Sequence, residues 1–188
     1  AETAEQASTV IVPHTRGFAR PEGFEMPGHG LGYDPSLHFP RDRAELERRV
    51  FEERLPAAIA WAKANRIDRL VSGGADATVG IVTSGKAHAD AEHALGMLGL
   101  AGSPQVAIYK VGMAWPLEAD GIRNFARGKR VLIVIEEKRG FVETQVKDAL
   151  YHLRADERPD IYGKTTPGGE KLFPAVMELS PEIVAGGL

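Results

Sequence analysis

Residues 79–111 read VGIVTSGKAHADAEHALGMLGLAGSPQVAIYKV, and residues 131–147 read VLIVIEEKRGFVETQVK. Three apolar runs stand out, at 79–82, 106–111 and 131–135. Each is too short and too rich in β-branched residues for a helix, and each leads into a helix-like pattern. The alternation predicts strand 79–83, helix 86–98, strand 105–111, helix 118–127, strand 130–136 and helix 141–153. Strands that alternate with helices in this way build a mostly parallel sheet covered on both faces, a three-layer α/β/α sandwich of Rossmann-like type with right-handed crossovers. In such sheets ligands and partners gather beyond the carboxyl ends of the strands. The candidate contact residues are therefore those directly after each run: Ser84, Gly85 and Lys86; Met113, Trp115 and Pro116; Glu136, Glu137 and Lys138.

Working outward, residues 1–8 (AETAEQAS) are polar and aperiodic and read as a tag or linker remnant, and the chain as a fragment of a longer one. Thr9 to Pro13 suggests a short edge strand, because Pro13 has no N–H for a ladder. The 9–40 stretch is a Gly/Pro-rich extended arm anchored by scattered apolar residues such as Phe18, Phe24, Met26, Leu31, Tyr33 and Phe39. Such an arm is expected to wrap over the domain's own sheet or over another part of a larger protein. The α/β domain then occupies 41–188, with a helical lead-in at 41–72. Leu46, Val50, Leu55, Ile59 and Ala62 recur there at helical spacing, and Pro56 predicts two helices or a kink. Residues 158–163 suggest one more strand, 166–169 a turn, and Ser180-Pro181 the start of a final short helix.

Composition narrows the chemistry. The chain has 188 residues, 43% of them hydrophobic, which suits one core-bearing domain, and its formal net charge of −3 lacks the basic excess of a nucleic-acid binder. Zero cysteines exclude disulfides, thiolate-held zinc or iron–sulfur clusters and a cysteine nucleophile within this chain. No apolar run approaches a membrane span, and no leader pattern is visible, so the expected location is the cytoplasm.

Several motifs fail on their own terms. Gly80 to Lys86 matches GxxxxGK, but Ala87 stands where a magnesium-binding hydroxyl belongs and Gly80 falls inside a strand pattern. What survives is a strand-to-helix turn, capped by Ser84, whose first amides could hold an anion. Glu136 and Glu137 are adjacent in an extended segment, so their side chains point to opposite faces. One is expected to contact the following helix or Arg139, and the other a partner. His88 and His93 are five apart, the wrong spacing for one helical face. Pro116 is expected to start a helix. GxSxG, GxGxxG and HExxH are all absent. The residues alone leave two readings, a scaffold domain or a free-standing module that binds a small anion or nucleotide at the strand ends.

The segments GIVTSGKAHADAEHALGMLGL, YKVGMAWPLEADGIRNFARGKRVLIVIEEKRGFVETQVKDALY, RPDIYGKTTPGGEKLFP and ELSPEIVA resemble the indolepyruvate ferredoxin oxidoreductases, in their domain similar to the transketolase carboxyl-terminal domain. The likeness runs from about residue 54 to residue 184 and is most specific in KVGMAWPLE, VIEEKR with QVK, and LSPEI. The MPGHGLGYDP stretch is similar, more loosely, to a linker of the fused bacterial forms. The resemblance implies an enzyme that converts an aryl 2-oxoacid to its acyl-CoA with thiamine diphosphate, magnesium and [4Fe–4S] clusters, and that reduces ferredoxin. It implies further that this chain is one supporting domain of that enzyme. No catalytic, cofactor-binding or metal residue of the family has a counterpart here, and the strand-end residues become candidates for contacts with other domains, other subunits or a homodimer partner.

Overall fold

A computed structural model describes residues 17–188; the short strand expected at 9–13 lies outside them. Five strands form one sheet: β1 (Arg69–Ser72), β2 (Val79–Ser84), β3 (Val106–Val111), β4 (Val131–Ile135) and β5 (Asp160–Tyr162). Their spatial order is β1-β3-β2-β4-β5, with β1 antiparallel to β3 and every other pair parallel. The helices are α1 (Arg43–Arg49), α2 (Leu55–Ala64), α3 (Ala87–Met97), α4 (Ala119–Ala126), α5 (Phe141–Leu150) and α6 (Pro181–Gly187).

The two-residue period of the strands divides the core. Val82, Tyr109, Leu132 and Val134 pack with Ile122 and Phe125 of α4 and Val142, Val146 and Leu150 of α5. Ile81 and Ile108 face the other way, onto Ala87, Ala91, Ala94 and Leu95 of α3 and Val184 of α6. From β2 the chain crosses by α3 to β3 on one side, then returns over β2 by α4 to β4 on the other. Reversing direction while changing face keeps both crossovers of one hand, the doubly wound arrangement. Gly80 sits inside β2, where a Cβ would lie 2.5 Å from Leu132 Cδ2 and 2.8 Å from Phe125 Cε1. That glycine serves close packing of α4 on the sheet.

One feature departs from the sequence pattern. Residues 69–72, expected to belong to a lead-in, form edge strand β1, and the lead-in is helical only to Ala64. Around Pro56, where two helices or a kink are expected, α1 and α2 are joined by a five-residue π turn at Val50–Arg54, and Leu55 N donates to Val50 O. The wide turn lies where the proline ring would meet the Glu52 carbonyl at regular α spacing. The arm lies along this helical pair. Phe18 and Trp61 rings are 5.3 Å apart, Ala19 N donates to Asn65 Oδ1, His29 meets Glu53 at 2.7 Å and Arg49 meets Asp34 at 3.1 Å.

Candidate functional site

In a doubly wound sheet the crevice opens at the carboxyl ends of the two neighbouring strands whose crossovers leave on opposite faces. Here those strands are β2 and β4, which end at Ser84 and Ile135. Lys86, Glu137 and Lys138 therefore rim the crevice, and all three hold the same piece of this chain. Lys86 Nζ donates to the Leu179 carbonyl at 2.6 Å, Glu137 accepts from Leu179 N at 3.2 Å, and Lys138 Nζ donates to the Met177 carbonyl at 3.0 Å. Leu179 itself is only 2% exposed and belongs to the core cluster under α3 and α6. The segment 177–179 fills the place where such folds bind ligands.

Lys86 is the centre of this closure. Besides Leu179 it meets Asp90 at 3.0 Å, Glu178 at 3.0 Å and Glu137 at 3.6 Å. Burial pulls its ammonium down, but the hydrogen bonds to Glu178 and Asp90 outweigh that and hold it above its ordinary value. Ser84 ends β2 and does not cap the next helix, as the sequence suggested. Helix α3 starts one turn later, at Ala87, with Lys86 in the cap position and no side-chain cap. His88 N and Ala89 N close turns onto the Gly85 and Lys86 carbonyls. Gly85, at φ +54°, makes the tight exit from the strand.

After β3, the loop 112–117 is fastened from two sides. Asp68 Oδ1 accepts from Gly112 N at 2.8 Å and Met113 N at 2.9 Å. Gln145 of α5 donates to the Ala114 carbonyl at 2.8 Å and accepts from Leu117 N at 3.1 Å. Pro116, joined to Trp115 by a cis peptide, does not start a helix as expected. Helix α4 begins at Ala119 because the Glu118 carboxylate accepts from Asp120 N and Gly121 N, a cap that displaces the start by three residues. Trp115 is left 53% exposed.

After β4, Glu136 and Glu137 diverge as strand geometry requires. Glu136 is 4% exposed and accepts from Phe141 N, Val142 N and Glu143 N, so it neutralises the open end of α5. Glu137 turns to Leu179, a residue of this chain, where the sequence suggested a partner. Buried Glu143 accepts from Lys147 Nζ at 2.6 Å and Lys164 N at 2.8 Å. Lys164 Nζ in turn donates to the Glu136 and Pro174 carbonyls. Desolvation draws the Lys164 ammonium below its ordinary value, against the pull of Glu136 and Glu143. Asp68, Gln145, Glu143, Lys164 and the 177–179 segment were not candidate site residues in the sequence, although Gln145 and Leu179 fall in the QVK and LSPEI stretches that carry the family resemblance. In the residue pattern the visible signal was a polar residue on an otherwise apolar helix face, as at Glu143 and Gln145.

At these ends His88 reaches Thr83 Oγ1, at 3.1 Å, and Thr83 is 1% exposed. The chain holds no cysteine, and among the described residues no three His, Asp or Glu side chains gather to hold a metal ion. Without cysteine these residues do not fit an iron–sulfur cluster held by thiolates. No helix among the described residues is long and apolar enough to cross a membrane.

Fold and crevice together define a doubly wound α/β domain whose customary binding crevice is closed by its own chain. A family model described as the indolepyruvate oxidoreductase domain matches residues 69–188, and the chain belongs to that family. It is 26% identical over 181 residues to the indolepyruvate oxidoreductase subunit IorA of Methanothermobacter thermautotrophicus, covering 94% of this chain and 28% of that relative. Among solved structures it is similar to an inactive β4 tetramer of a split-gene transketolase, at 18% identity and a TM-score of 0.46 over 64% of this chain and 39% of that one. It is also similar to the 2-oxoglutarate:ferredoxin oxidoreductase from Magnetococcus marinus, at 17% identity and a TM-score of 0.40 over 79% of this chain and 23% of that one. The chain thus spans little more than a quarter of its curated relative.

Proposed function

We propose that this chain is a supporting, non-catalytic domain of an indolepyruvate, or aryl 2-oxoacid, ferredoxin oxidoreductase. The observation that carries this reading is the closed crevice: Lys86, Glu137 and Lys138, the charged residues best placed to act on a ligand, are committed to the chain's own 177–179 segment. The parent enzyme decarboxylates its 2-oxoacid to an acyl-CoA and reduces ferredoxin. Thiamine diphosphate supplies the carbanion chemistry, and iron–sulfur clusters carry the electrons. The chain has no cysteine to hold a cluster, and the reading places both groups on other segments.

What this domain offers instead is surface. Trp115, Phe141, Val176 and Met177, from the loops and helix start at the carboxyl end of the sheet, are each at least 40% exposed. Large apolar side chains left at one end of a domain suit contact with neighbouring domains or subunits, including a second copy of the parent. The test is Trp115→Glu combined with Met177→Glu, made in the parent enzyme and in this chain. The isolated chain should melt as before, while the parent loses assembly and turnover. A parent that assembles and turns over normally would overturn the assignment.

A further inference from the structure

A cleft of about 620 Å³ runs between edge strand β1 and helix α4, apart from the closed crevice, and its volume lies within the range of roughly 300–1,000 Å³ typical of small-molecule sites. Arg66 and Arg69 line it beside Asp68, and Arg127 and Lys129 line it beyond Phe125; two buried groups in it have unmet needs. At one end Lys129 is 7% exposed, yet its ammonium has only the Ala77 carbonyl at 3.0 Å and the face of the Phe125 ring, 5.1 Å from its centroid. No carboxylate among the described residues lies within ion-pair distance of it. The Asp76 carboxylate pulls on it only from beyond ion-pair distance, and burial outweighs that pull, so an anion arriving from outside is favoured there. Arg127 lines the same cleft and likewise has no ion-pair partner among the described residues.

At the other end Asp68 uses one oxygen to hold the Gly112 and Met113 amides. Its other oxygen, Oδ2, is buried and is the one such side-chain atom without a hydrogen-bond partner among the described residues. A buried acceptor left unmade asks for a donor. Between the two ends the cleft is lined by Leu70, which is 48% exposed, and by the aromatic pair Tyr109 and Phe125, whose centroids are 5.1 Å apart. Apolar and aromatic walls of this kind suit a flat ring.

A ligand with an anion at one end, a planar body and an N–H donor at the other meets all three requirements. We propose that the β1–α4 cleft binds a purine nucleotide, its phosphate toward Arg127 and Lys129, its base along Leu70 and Phe125, and a base N–H directed to Asp68. The inference stands apart from the supporting role proposed above, since neither the crevice nor the exposed apolar end enters it.

The test is calorimetric titration of 5′-AMP, adenosine and inorganic phosphate into the 188-residue chain. AMP should bind saturably at one site, at least about tenfold more tightly than either part alone, and Arg127→Gln should weaken it about tenfold, the scale of one charge-assisted hydrogen bond. Leu70→Glu, at an exposed position, should abolish binding without lowering the melting temperature. If that variant unfolds, Arg127→Gln alone decides. The proposal is overturned by the absence of saturation at millimolar AMP, by phosphate binding as tightly as AMP, or by an Arg127→Gln affinity equal to that of the unaltered chain.

Discussion

Glu136 Oε2 accepts from Val142 N at 2.8 Å, so the first charged group after β4 is spent on the first turn of the helix that follows it. A carboxylate at a strand end invites a catalytic reading, but this one completes the backbone hydrogen bonding that a helix N-terminus leaves open. Glu136→Ala should destabilise the domain by about 2 kcal/mol, since the buried amides of Val142 and Glu143 lose their acceptor while Phe141 N keeps the Arg139 carbonyl. Glu136→Gln should cost less, because its amide oxygen still accepts. Urea unfolding of the three forms reads both differences.

Gly80→Ala addresses the phosphate-loop likeness directly. Its methyl group would press on Leu132 and Phe125 inside the core, and overpacking of this kind costs about 1–3 kcal/mol. The variant should unfold at lower urea.

Lys86→Met should loosen the closure of the crevice. It removes the donor to Leu179 and leaves buried Asp90 without its cation, a loss of about 1–2 kcal/mol. Amide exchange at 177–179 should quicken far more than exchange in β2 or β4. Equal exchange in both forms would show that Lys86 does not hold the segment.

The helical pair beneath the arm should respond to acid. Hydrogen bonds from Arg48, and then from Arg49, hold Glu45 down at about 2 against an ordinary 4.5. A depressed acid contributes stability that is fully present above its unfolded value and is lost as pH falls through its folded one. The stabilisation should therefore disappear between about pH 4.5 and pH 2, and Glu45→Gln should flatten the melting-temperature profile across that window.

The legible part of this fold is the part with a strong period. The runs at 79–82, 106–111 and 131–135 became β2, β3 and β4, and each expected helix between and after them formed within a few residues of its boundaries. Edge strand β1 escaped because four residues with Arg69, Leu70 and Ser72 exposed carry no alternation. The end of β3 misled because Pro116 is a strong helix starter, yet the competing carboxylate of Glu118 caps two amides further on. The strand-end candidates lie at or directly after the ends of β2, β3 and β4, but their partners are hidden by distance along the chain. Leu179 lies 93 residues from Lys86, and no local pattern links them. The lysines and glutamates looked available in sequence because a carbonyl or amide partner leaves no trace in residue type.

The most direct measurement is turnover of indolepyruvate with CoA and a dye acceptor, comparing this 188-residue chain with its longer parent, both supplied with thiamine diphosphate. The account predicts turnover by the parent and none by the isolated chain. Turnover by the isolated chain would contradict it, since the residues around the closed crevice would then have to bind cofactor and substrate themselves.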